Sequence, residues 1–179
     1  MKLRHIAVGY DGSAASEEAV HWAAREAAGR DVMVLLVTAC PPPVAPGVGT
    51  GDEHLSLMVR AFSAQQPALA RARAALPDGV RPPMVGTEVV PADPVTALCQ
   101  AARQADLQVL GSDRGTGLGV RSIPGRVTAR LSADRRRGQT PLVVIATTRI
   151  GTTGGPAAGG TPLRVRIRPV PGPKVPVHW

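Results

Sequence analysis

Along residues 1–147 the apolar positions alternate between two periods. Ile6-Ala7-Val8-Gly9-Tyr10 is a short apolar run closed by the turn cluster Asp11-Gly12-Ser13. Ser13 can cap a helix from Ala14 to about Ala28, with Glu17 and Glu18 in the first turn where the helix dipole favours them, and Gly29 stops it. Val32 to Val37 is uninterrupted apolar sequence, the mark of a strand buried on both faces. A Pro/Gly-rich loop over 41–51 leads to a helical stretch over about 53–76, which Pro67 is expected to kink or split. Met84 to Val90 reads as a third strand. Asp93-Pro94 starts a helix that runs to about Gln104, with Asp at the cap and Pro at the first position. Leu107 to Leu110 is a fourth strand, a helix is expected from about Gly125 to Asp134, and Leu142 to Ala146 is a fifth strand. Strands separated by helices at this spacing form βαβ units with right-handed crossovers. The predicted fold is a doubly wound α/β domain over residues 1–149.

The last thirty residues differ in kind. Residues 151–160 are rich in Gly, Thr and Ala and read as a flexible linker. Leu163-Arg164-Val165-Arg166-Ile167-Arg168 alternates apolar and basic with period two, a strand pattern expected to need a partner edge before it orders. Pro169 to Pro176 favours polyproline II. Residues 150–179 are therefore a basic Gly/Pro-rich tail, flexible or docked on a protein partner.

Charge sharpens this division. The net +8 of the 179 residues is lopsided: residues 1–110 hold 9 Lys/Arg against 11 Asp/Glu, and residues 111–179 hold 12 against 2. The C-terminal third faces something anionic or is kept soluble by charge. Nucleic acid is disfavoured as that partner, because single-strand binders need aromatic platforms and Trp179 is the one aromatic residue there. No apolar run reaches the roughly 18 residues of a membrane span, and the start of the chain lacks a signal-peptide pattern. Cys40 and Cys99 fit no metal spacing and no CxxC pair. These features point to a cytoplasmic protein with reduced thiols.

Candidate chemistry gathers where strands end, since ligands of open parallel sheets bind beyond the carboxyl ends. Gly111-Ser112-Asp113-Arg114-Gly115-Thr116-Gly117-Leu118-Gly119 has four glycines in nine residues, so its backbone can approach an anion closely. The helix expected at Gly125 adds free N–H groups, and Arg114, Arg121 and Arg126 add formal charge. This is phosphate-binding chemistry with neither a Walker A nor a GxGxxG pattern; a flexible loop whose glycines serve only the turn is the alternative. His5, His21 and His54 have no acid or Cys partner at ligand spacing, and no serine is framed as GxSxG. Nothing offers a defined base for fast hydrolysis, so rapid turnover is not expected.

The opening strand Ile6 to Ser13 and the segment Ala105-Asp106-Leu107-Gln108-Val109-Leu110-Gly111-Ser112 resemble the first and fourth strands of the universal stress protein family. Gly115, nine residues, then Gly125 is similar to the second half of its ATP motif, Gly-x2-Gly-x9-Gly-Ser/Thr. The likeness covers about residues 3–147. It implies a five-stranded parallel sheet in the order 3-2-1-4-5 with helices on both faces, a homodimer joined through the fifth strand, and bound ATP with Mg2+. By that resemblance Asp11 sits beside the nucleoside, Val37 reads adenine through its backbone, and Gly111, Gly115, Gly125 and Thr128 hold phosphates. Two departures stand out. Gly111 and Gly115 are separated by three residues where the family has two, and Arg126 replaces the Ser or Thr that would bond phosphate. Arg126 can supply a charged contact in its place or fill the pocket. The function expected is a nucleotide-dependent stress-response regulator; the alternative is a nucleotide-free dimeric scaffold whose tail recruits a protein.

Overall fold

The computed structural model describes residues 5–42, 51–112, 122–133, 142–147 and 164–168. Its elements are β1 (His5–Gly9), α1 (Ala14–Ala27), β2 (Met33–Ala39), α2 (Gly51–Ala74), β3 (Met84–Val90), α3 (Pro94–Gln104), β4 (Leu107–Ser112), α4 (Ile123–Ala133), β5 (Leu142–Thr147) and β6 (Arg164–Arg168). They form one sheet in the order β3-β2-β1-β4-β5-β6. The first five strands run parallel, with Val8 opposite Leu36 on one side and Val109 on the other.

Residue alternation assigns the helices to faces. Ile6 and Val8 of β1, with Val34, Leu36, Leu107 and Val109, pack beneath α1 and α2. The intervening Ala7 and Val37 pack under α3. Leu110 meets Val127 and Leu131 of α4 through the second patch on that face. The predicted α/β class, with a parallel sheet covered on both sides, is what the chain adopts. Small side chains make it possible: Ala19, Ala23 and Ala27 let α1 lie close on the sheet.

Three local expectations need correction. The sheet has six strands, because Arg164–Arg168 joins it. This strand pairs antiparallel with β5 of its own chain, Thr147 opposite Arg164 and Val143 opposite Arg168. The alternating pattern predicts an added strand on a sheet edge of the same dimer or on a partner; the edge it meets is β5 of its own chain. Next, Pro67 does not split α2, which continues across it as one helix of 24 residues. Pro67 cannot bond the carbonyl of Ser63, but Ser63 is exposed and water can take that bond. Finally, α4 starts at Ile123, two residues ahead of the predicted Gly125.

Candidate functional site

A cavity of about 270 Å³ opens at the carboxyl ends of β1, β2 and β4, with Asp11, Val37, Thr38 and Gly111 on its wall. Leu98, Leu110 and Pro124 also line it. Its lining is mainly apolar, which suits a flat heterocycle carrying a polar substituent.

The β1–α1 turn fixes part of that wall. Asp11 Oδ1 accepts the Ser13 N–H at 2.9 Å, and Gly12 between them holds φ +81°, a left-handed conformation that glycine adopts without strain. Ser13 Oγ then caps α1 by accepting the Ser16 N–H at 3.2 Å, and the Ser16 hydroxyl donates to the Ser13 carbonyl at 2.9 Å. Burial alone would raise the Asp11 carboxyl, but hydrogen bonds from Ser13 and Ser16 outweigh it and hold Asp11 below the ordinary carboxylate range. Asp11 is therefore a fixed anion at the cavity mouth, able to accept hydroxyl groups.

The floor is tied to α2. Tyr10 donates its N–H to the Val37 carbonyl at 2.9 Å, and the Thr38 hydroxyl donates to the Tyr10 carbonyl at 2.9 Å. Gln65 of α2 is fully buried. Its Nε2 lies 2.8 Å from Thr38 Oγ1, 3.2 Å from the Glu88 carbonyl and 3.4 Å from the Leu36 carbonyl. One amide thus gathers the ends of β2 and β3 under the cavity. The Tyr10 hydroxyl donates to Glu17 Oε1 at 2.9 Å, and Arg71 pairs with that same carboxylate. Burial first, then the bond to Glu17, pushes Tyr10 up to about 12.

That shift is directly testable, because Tyr10 is the one tyrosine of the chain. A phenol whose folded pKa lies above its unfolded value of about 10 contributes stability that is complete below pH 10. The contribution is lost as pH rises through about 12. Near-ultraviolet difference absorbance is expected to show ionisation centred near 12 in the folded protein. A midpoint at the free-tyrosine value would exclude the buried hydrogen bond.

The structure brings together some predicted residues and redirects others. Asp11, Val37 and Gly111 share the cavity wall. Gly111 has a structural duty there: a Cβ on it would stand 2.4 Å from the backbone carbonyl of Ala15, so its bare Cα lets α1 rest on β4. Gly125 does not offer a free helix-terminal N–H, since that group donates to Ser122 Oγ at 3.1 Å. Thr128 uses its hydroxyl on the Pro124 carbonyl at 2.8 Å, back along α4. Arg126 is exposed on the same helix. Arg114 and Gly115 lie outside the described residues, as do Asp113 and Arg121. Ser122 and Gln65 were missed. Ser122 was legible as a cap, since Ser two residues ahead of Pro is a helix-start signal; nothing in the sequence marks Gln65 as buried.

Among the described residues no group of three or more His, Cys, Asp or Glu could hold a metal ion. No described helix is long and apolar enough to cross a membrane. Cys40 and Cys99 are both buried and in no disulfide.

Comparison with known proteins agrees with this architecture. The model of the universal stress protein family matches residues 2–133. Universal stress protein Rv2623 of Mycobacterium tuberculosis is 34% identical in an alignment 151 residues long that covers 78% of this chain and 46% of that relative. The chain thus spans about half the length of the curated relatives it matches. A universal stress protein solved in complex with cAMP superposes with a TM-score of 0.52 at 26% identity, covering 81% of this chain and 97% of that one. A family member from Burkholderia pseudomallei, 20% identical, shares the fold with a TM-score of 0.51 over 80% of this chain and 96% of its own. With its crossover topology, its strand-end cavity and a family match over most of its length, the chain belongs to the universal stress protein family.

Proposed function

We propose that this protein binds an adenine nucleotide in the cavity above β1, β2 and β4 and that occupancy, not turnover, is its output. The observation that carries this reading is the pairing of an apolar slot with the fixed Asp11 carboxylate at its mouth. In the proposed pose the base lies against Val37 and Leu98, the ribose hydroxyls reach Asp11, and the phosphates point toward α4 with Arg126 as their counter-charge. A relative that covers most of this chain was solved with cAMP, which supports a nucleotide here. ATP is the proposed ligand. Magnesium would come on the phosphates themselves, since Asp11 is the one carboxylate on the cavity wall among the described residues. The proposed setting is the cytoplasm, where two buried thiols outside any disulfide stay reduced.

One observation favours the competing reading of a nucleotide-free scaffold. The first turn of α4 has Pro124 with no N–H and Gly125 already capped by Ser122, so it gives a phosphate fewer donors than an open helix start.

Denaturing the purified protein and identifying any released nucleotide tests the proposal first. Adding ATP at 100 times its Kd is expected to stabilise the fold by about 2.7 kcal/mol. For a domain of this size that raises Tm by roughly 5–10 °C. No released nucleotide, together with no shift from ATP, AMP or cAMP, would favour the scaffold. Arg126→Ser is expected to weaken ATP binding if Arg126 holds phosphate and to strengthen it if the side chain obstructs.

A further inference from the structure

The amino ends of the strands, opposite the nucleotide cavity, carry a different set of side chains. The parallel register sets His5 of β1 opposite Met33 of β2, and Met33 opposite Met84 of β3. Neighbouring strands lie about 4.8 Å apart, so the three form one lateral row. They also share a face. Ile6, Val34 and Val85, one residue further along each strand, pack in the cluster beneath α1 and α2, so His5, Met33 and Met84 stand on the α3 side. His5 agrees with that side: its Nδ1 lies 3.2 Å from the carbonyl of Gln104, the last residue of α3. A ring nitrogen that faces a carbonyl carries the proton, which leaves Nε2 with its lone pair. Nε2 is shielded from solvent and has no hydrogen-bond partner. An acceptor buried in this way calls for a donor or an ion. Met33 and Met84 line one cavity of about 150 Å³ at the same end. Met84 is 65% exposed, so the row opens to solvent at the edge strand.

We infer that His5 Nε2, Met33 Sδ and Met84 Sδ form a binding site for a soft monovalent metal ion of the copper(I) class. Thioethers select soft ions such as Cu(I), and imidazole suits copper as well. The outer support of the histidine is already in place. A metal-ligating histidine donates its other ring N–H to a carboxylate, carbonyl or water, which fixes tautomer and ring orientation, and Gln104 fills that role here. The His5 backbone is held too: its N–H donates to Asp106 Oδ2 at 3.1 Å, and its carbonyl accepts the Asp106 N–H at 3.0 Å. The imidazole is thus the fixed ligand, and the two flexible methionines close on the ion. Met33, in the middle of the row, neighbours both of the others. Charge favours a monovalent ion. Asp31 on the cavity wall can offset one positive charge, Arg30 there is already paired with Glu26, and Arg81 on the same wall opposes a second. Zinc is disfavoured because the row holds no thiolate or carboxylate.

Anaerobic titration of the full chain with Cu(I), under ascorbate and against a chromophoric Cu(I) chelator, is expected to show one ion bound per chain. The double variant Met33→Leu with Met84→Leu keeps size and apolarity and is expected to weaken binding more than about 100-fold, the upper end of what losing an outer-shell partner costs. His5→Gln is expected to weaken it at least about tenfold. In protein with methyl-labelled methionine, Ag(I) as a probe of similar softness is expected to shift the Met33 and Met84 methyl resonances and leave Met58 in place. Absence of Cu(I) binding overturns the inference, and so does an equal Ag(I) shift at Met58. Binding that survives the double variant also overturns it and would place the ion on the thiols of Cys40 and Cys99. If the double variant fails to fold, Met84→Leu decides alone, since Met84 is exposed: unchanged affinity overturns the site. Unchanged affinity in His5→Gln overturns the role of Nε2. None of these results depends on nucleotide binding.

Discussion

Gly111→Ala is expected to cost this fold about 3 kcal/mol, the upper end of what overpacking a core by one methyl group does. The new Cβ would lie 2.4 Å from the Ala15 carbonyl carbon and oxygen and 2.6 Å from the Ser16 nitrogen. All three are backbone atoms of the first turn of α1, which Ser13 caps from one side and the sheet holds from the other. A rigid turn cannot swing aside as a side chain can, so the helix must lift off β4. Differential scanning calorimetry is expected to show Tm falling by roughly 6–12 °C. Gly9→Ala is the control. Its Cβ would meet the terminal methyl groups of Leu98 at 2.9 Å and Leu110 at 3.0 Å, which can rotate. It should cost about 1 kcal/mol. Equal losses at the two positions would contradict the helix contact.

Gln65→Glu is expected to be as severe at neutral pH. The amide nitrogen faces three oxygens, those of Thr38, Leu36 and Glu88. An oxygen in its place loses every donation and sets a carboxylate against backbone carbonyls in a fully buried site. An uncompensated buried charge of this kind costs about 3–5 kcal/mol. The substituted carboxyl would resist ionisation, so its folded pKa must rise above the unfolded value of about 4.3. A raised pKa means stability present below the unfolded value and lost as pH rises through the folded one. The deficit against the parent protein should therefore shrink below about pH 4, where the protonated acid can donate one bond. Gln65→Leu, which brings no charge, should lose about 1–2 kcal/mol at all pH values. A deficit for Gln65→Glu that does not change with pH would show that the amide does not face those oxygens. In both variants Thr38 loses its support, and nucleotide affinity should fall along with stability.

The sheet was legible because its strands are short and mostly apolar. Val32 to Val37 runs without a polar residue, as a strand covered on both sides does, and Ser13 and Asp93 marked helix starts through chemistry that needs no tertiary context. Their caps formed as read: Asp93 accepts the Val95 and Thr96 N–H groups. What stayed hidden depends on contacts made across the fold. Gln65 reads as one polar residue among several on α2, and its burial follows from where β2 and β3 end. The glycine at 111 read as a ligand-facing residue because close approach to phosphate and close approach to a helix make the same demand on a side chain. Pro124 disguised the start of α4, since Gly125-Arg126 looked like the motif's helix entry while Ser122 had already begun the turn. The Arg/Val/Ile alternation announced a strand but not its partner, because a period of two says which residues share a face and nothing about which edge they meet.

The placement of β6 has a consequence for how the protein folds. Its partner β5 ends at Thr147, and the strand that covers it is complete only at Arg168, 21 residues later. A chain whose first five strands have formed before β6 docks exposes the outer edge of Leu142-Val143-Val144-Ile145-Ala146-Thr147, a β-branched segment without charge or proline to deter pairing with another folding chain. Closing that edge within one chain is independent of concentration, whereas pairing between chains speeds up with it, so dilute refolding favours the antiparallel pair over aggregation.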